Sequence, residues 1–133
     1  MKNPLLVLLL FLIIIPYSCQ VEDDDPSGGT VDEQAKFIGT WSVSDNPARL
    51  NYTVKIVRDP VYADQVILNN FADAGGSAVA RISGSSLVIS KQAIGSGYYA
   101  SGNGVLEKSD RLRFLFALED GIDAENREAI FTR

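Results

Sequence analysis

The chain is expected to fold as an all-β domain, an eight-stranded antiparallel meander closed into a barrel. Three observations carry that expectation. Between residues 37 and 133 eight short segments rich in β-branched and aromatic residues recur, at the roughly 8–12-residue spacing of sandwiches and barrels. No long segment with helical periodicity interrupts them. Short turn-forming stretches separate them, and short connections place consecutive strands side by side and antiparallel.

The first segment is Phe37 to Ser44 (FIGTWSVS). The second, Leu50 to Arg58, alternates Tyr52, Val54 and Ile56 against Thr53 and Lys55, the period of a strand with one buried face. The third is Gln65 to Phe71. Ala78 to Ser83 and Ser86 to Lys91 form a hairpin around Gly84-Ser85. Tyr98 to Leu106 is the sixth, with Gly102 and Gly104 marking a bulge or sharp bend. Arg111 to Glu119 sets Leu112, Phe114, Phe116 and Leu118 on one face. Glu128 to Arg133 closes the chain. Asn46-Pro47, Asp59-Pro60, Gly75-Gly76, Lys108-Ser109-Asp110 and Asp120-Gly121 supply the reversals. Closing the meander pairs its first and last strands and removes the free sheet edges.

Ahead of this domain lie two other compositions. Lys2 and an unbroken apolar run, Leu5 to Ile15, open the chain. The run has 11 residues, against about 20 for a membrane-spanning helix, so residues 1–18 read as a removable secretory signal. Residues 19–36 are rich in Asp, Gly and Ser and poor in apolar groups, a flexible tether. Val31 to Lys36 has the makings of one helical turn leading into the domain of residues 37–133.

The small Ser18 before Cys19 completes a pattern that resembles a bacterial lipoprotein signal peptide. The resemblance covers residues 1–19 and implies that Cys19 is acylated, becomes the new N-terminus and anchors the protein in outer-membrane lipid. Cys19 is the only cysteine, so no disulfide forms within the chain and the domain relies on core packing. A lone unpaired thiol is unusual in an exported protein, and lipid would account for it. Just after it stand Glu22, Asp23, Asp24 and Asp25. This acidic run resembles the surface-export signal of some Gram-negative lipoproteins and implies display on the outer face of the outer membrane. The bland alternative is a solvated spacer.

Charge follows the same division. The chain has 12 basic and 17 acidic side chains, net −5. Residues 19–36 hold six of the acids and one base, whereas residues 37–133 hold 11 acids and 10 bases. A nearly neutral domain has no basic footprint for nucleic acid.

Gly39-Thr40-Trp41 sits on the first strand, just after the helical turn. It resembles the Gly-x-Trp signature of lipocalins and other calycin barrels. That resemblance implies that Trp41 plugs the closed end of a lipocalin-like barrel and that a late arginine stacks on it. Arg127 and Arg133 are the candidates, and Arg133 is preferred because it lies on the last strand. At 97 residues the domain is short for a lipocalin, which implies a narrow interior.

Catalytic chemistry finds little to use. The chain has no histidine, which removes the commonest general base, the Ser-His-Asp and Cys-His arrangements and His/Cys zinc sites. Gly95-Ser96-Gly97 precedes a strand rather than a helix, so it is not a phosphate-binding loop. The acids of Glu119 to Glu125 surround Gly121, but without the EF-hand register the segment reads as an acidic hairpin loop. Asn51-Tyr52-Thr53 spells a glycosylation sequon inside a strand. Adjacent Tyr98 and Tyr99 face opposite sides. The chain is thus expected to be no enzyme and to need no metal or cofactor. Two functions stay open. One is a binding module holding a small apolar molecule or glycan in an interior of about 300 Å³ or more, lined by side chains such as Tyr52, Phe114 and Phe116. The other is a protein-interaction barrel with a packed interior, a class in which similar small exported barrels include bacterial protease inhibitors.

Overall fold

Alternation of apolar and polar residues builds the wall of the molecule. In a computed structural model that describes residues 32–133 apart from Pro47, eight strands follow in order: β1 (Gly39–Asn46), β2 (Leu50–Arg58), β3 (Gln65–Asn69), β4 (Ser77–Ser83), β5 (Ser86–Gly95), β6 (Tyr98–Lys108), β7 (Arg111–Glu119) and β8 (Ala124–Thr132). Each pairs antiparallel with the next, and β1 pairs with β8 through Val43↔Phe131 and its neighbours. The result is a closed barrel. Closure satisfies the edge hydrogen bonds that an open sheet would leave bare.

The inward positions form one apolar cluster that runs the length of the barrel. Its spine is aromatic. Trp41 lies 6.4 Å from Phe131, Phe131 4.9 Å from Phe114, Phe114 5.4 Å from Phe71, and Phe71 4.8 Å from Phe116, centroid to centroid. These separations and their tilted or edge-on angles are those at which aromatic pairs attract beyond simple burial.

Gly102 and Gly104 have a packing role beside the expected irregularity. Toward β7 they keep regular register, opposite Phe116 and Phe114. A Cβ on Gly104 would stand 2.6–2.8 Å from the Phe114 ring, and one on Gly102 would stand 2.4 Å from the Leu115 carbonyl oxygen. The missing side chains are the space the phenylalanines fill. Toward β5 the register shifts between Ile89 and Gln92, whose partners are Gly102 and Ala100, so the extra residue lies on β5 and the bulge adjoins Gly102.

Boundaries shift for local reasons. β3 stops at Asn69 because Asn70 turns left-handed (φ 68°) and Phe71 enters a 3₁₀ turn that drops its ring into the core. β5 reaches Gly95 because pairing resumes past its irregularity. β8 begins at Ala124, four residues earlier than its apolar pattern indicates. Residues 32–36, tether by composition, are held on the barrel. Gln34 is buried and its amide donates to the carbonyls of Asp59, Tyr62 and Gln65. Asp32 meets Arg58 at 2.7 Å. The helical turn is a 3₁₀ turn at Ala35–Phe37.

Candidate functional site

Strand direction gives the barrel two unlike ends. The end where the described chain enters is closed. Phe37 is buried there, and its carbonyl accepts the Trp41 indole N–H at 3.0 Å. The Arg133 guanidinium lies over the Trp41 ring, 4.1 Å from its centroid. Its fork donates to the carbonyls of Ile38 (2.6 Å), Lys36 (2.9 Å) and Ser109 (2.8 and 3.1 Å). One planar side chain therefore ties the entry segment to the β6–β7 turn, a task suited to arginine's fixed donors. Arg127, the other late arginine, is elsewhere.

It lies at the opposite, open end, in a polar cluster beneath the loops. β1 places Asp45 inward on the same face as Trp41 and Val43. Asp45 has 0% exposure, and its Oδ2 accepts from Tyr52 Oη at 2.8 Å and from Arg127 Nη1 at 3.0 Å. The Arg127 side chain is 11% exposed, and Glu125 comes within 3.4 Å of its Nε without the alignment of a hydrogen bond. Asp45 Oδ1 and Arg127 Nε have no hydrogen-bond partner among the described residues. Burial pushes the Tyr52 phenol above its ordinary value of 10.0, and the bond to Asp45 and its negative charge push the same way.

Of the three side chains expected to line a ligand cavity, Phe114 and Phe116 are in the aromatic spine and buried. Tyr52 stands between spine and polar cluster, and it also borders a cleft of about 400 Å³ with Ser44, Asn51 and Ile130. The clefts open outward instead. One of about 580 Å³ lies on the outer wall over β6–β8, between Asn46, Ser101, Leu115, Ala117, Asn126 and Glu128, and Phe116 and Arg127 also border it. Leu115 projects there. A cleft of about 120 Å³ at the open end lies between Tyr98, Leu118, Asp120, Glu125 and Arg127. Another, of about 330 Å³, separates Tyr99 from Ile122 at the β7–β8 loop.

That loop is built by Asp120. Its Oδ1 accepts the N–H groups of Ile122 (2.9 Å) and Asp123 (2.8 Å), while its own N–H donates to the Asp123 carbonyl at 3.1 Å. These donors hold the Asp120 carboxyl below the usual carboxylate range. Among the described residues no cluster of three or more carboxylate, Cys or His side chains is disposed to hold a metal ion. Cys19, Glu22, Asp23, Asp24 and Asp25 lie outside the described residues.

Comparison with known proteins yields one result. No family model, curated protein or solved structure matches the chain. The architecture itself, a closed eight-stranded antiparallel β-barrel, is consistent with a lipocalin-like fold.

The polar cluster is what a reading of the residues misses. A signal existed: Asp45 continues the inward period of Trp41 and Val43, and Arg127 continues that of Phe131 and Ala129. Two opposite charges on inward strand positions call for each other, since burying either alone is costly.

Proposed function

We propose that the protein is a lipid-anchored recognition module of the bacterial cell surface that engages a protein partner through the outside of a filled barrel. Catalysis has no part in it. The observation that carries the reading is the aromatic spine from Trp41 to Phe116, which occupies the space where a lipocalin-like ligand would sit. The outward clefts and the exposed Leu115 and Ile122 supply contact surface. The anchor is Cys19, and the run Glu22 to Asp25 directs the protein to the outer face. The described chain begins at the closed end of the barrel, opposite the open-end loops.

A second reading keeps the small ligand, a glycan or compact apolar molecule, at the open end. The buried Asp45–Arg127–Tyr52 cluster supports it. Against it, the open-end cleft beside Arg127 is about 120 Å³, below the roughly 300 Å³ of small-molecule sites, and the larger cleft that Arg127 also borders opens on the outer wall.

Native mass spectrometry of the detergent-released protein separates the two. The recognition reading expects the acylated chain alone, and a stoichiometric co-purified small molecule would overturn it. Location has its own assay. Protease added to intact cells should remove the domain, and Asp23 to Asp25 replaced by Ala should render it protected. Protection of the unaltered protein would refute surface display.

A further inference from the structure

The β7–β8 loop holds an apolar side chain in water by design of its backbone. Ile122 is 90% exposed. Gly121 turns left-handed (φ 96°) and the Asp120 carboxylate fixes the two residues after it. An ordered loop loses little conformational freedom on binding, and an exposed isoleucine on one is a contact in waiting.

Across a cleft of about 330 Å³ from Ile122 stands the ring of Tyr99, 45% exposed. The cleft already accommodates a cation. Lys91 Nζ lies 6.0 Å from the Tyr99 ring centroid and 3.0 Å from Glu119 Oε1. Asp123 lines the other side, and among the described residues it forms no ion pair. Glu119, Asp120, Asp123 and Glu125 face this end of the barrel against the two positive charges of Lys91 and Arg127. The surface is aromatic, apolar and acidic together, the chemistry that recognises a cation carried beside an apolar group.

We propose that the cleft between Tyr99 and Ile122 receives an arginine or lysine side chain of the protein partner, with an apolar neighbour of that residue packing on Ile122. This rests on the protein-binding function above and names the chemistry of its partner. The incoming cation stacks on Tyr99, shares Glu119 with Lys91 and pairs with Asp123. Arginine suits the site better than lysine, because its planar fork stacks and pairs at once.

The test uses the ¹⁵N-labelled full chain in detergent micelles, titrated with two peptides, acetyl-Leu-Arg-Leu-amide and acetyl-Leu-Glu-Leu-amide. Saturable shifts at the Tyr99, Gly121, Ile122 and Asp123 amides are expected with the arginine peptide alone. They should weaken at about 0.5 M salt. Glu119→Gln with Asp123→Asn should weaken binding about fivefold, the effect of losing two exposed ion pairs, with amide shifts elsewhere unchanged. Equal response to both peptides, no saturable response, or binding indifferent to the double variant would overturn the proposal. Shifts confined to the cleft around Leu115 would overturn it too, while leaving the protein-binding function standing.

Discussion

Gly104→Ala tests the packing of the barrel at one atom. Glycine inside a strand is ordinarily about 0.5–1 kcal/mol worse than alanine, so on propensity alone the exchange stabilises. Here the new methyl would stand 2.6, 2.7 and 2.8 Å from three atoms of the Phe114 ring. That ring is buried, with Phe131 at 4.9 Å and Phe71 at 5.4 Å, so it has no open direction in which to retreat. Overpacking of this kind costs about 1–3 kcal/mol. The net is a loss of about 1–2 kcal/mol, which in a domain of this size lowers Tm by about 4–16 °C. Thermal unfolding followed by Trp41 fluorescence reads it. Phe114→Leu removes the clashing ring atoms, so the double variant Gly104→Ala/Phe114→Leu should be at least about 1 kcal/mol more stable than the two single losses sum to. A neutral or stabilising Gly104→Ala, or strict additivity, would refute the packing account.

Three further outcomes are expected. Arg133→Ala should destabilise by about 1–2 kcal/mol by removing a stacked cation and its bonds to three carbonyls, with faster amide exchange at Phe37 to Gly39. Arg133→Lys should not restore it. Arg127→Met should cost about 3 kcal/mol in denaturant unfolding, since it leaves Asp45 buried without its partner, and adding Asp45→Asn should recover more than half. Alkaline unfolding reports on Tyr52. Its folded-state proton affinity is raised, so its contribution is fully present below the unfolded phenol value of 10.0 and is lost as pH climbs above it. Tyr52→Phe should flatten that alkaline fall, and an unchanged slope would place the phenol outside the buried cluster.

The barrel was legible because its code is period two. Tyr52, Val54 and Ile56, or Leu112 to Leu118, alternate cleanly, and the turns between strands carry Gly, Asp, Asn and Pro. What escaped has a physical reason in each case. β8 looked four residues too short because Ala124 to Arg127 has no apolar alternation, its inward residue being the charged Arg127. The Asp45–Arg127 pair joins residues 82 positions apart, and only the β1–β8 closure brings them together. Gly102 and Gly104 signal irregularity by composition, yet their neighbours across the strand use the space. The closed-end juxtaposition of Trp41 and Arg133 was named from the residues, whereas the carbonyls that Arg133 gathers were not, because backbone acceptors leave no mark on a sequence.

Photo-crosslinking on intact cells addresses the central claim, recognition of a protein through the outside of the barrel. p-Benzoylphenylalanine is placed at Ile122, at Leu115, or at Val61 near the closed end as a control. The account predicts a discrete protein adduct from Ile122, reduced when Glu119→Gln and Asp123→Asn are added, and none from Val61. The absence of any adduct from both Ile122 and Leu115, in cells where the domain is exposed and folded, would contradict it.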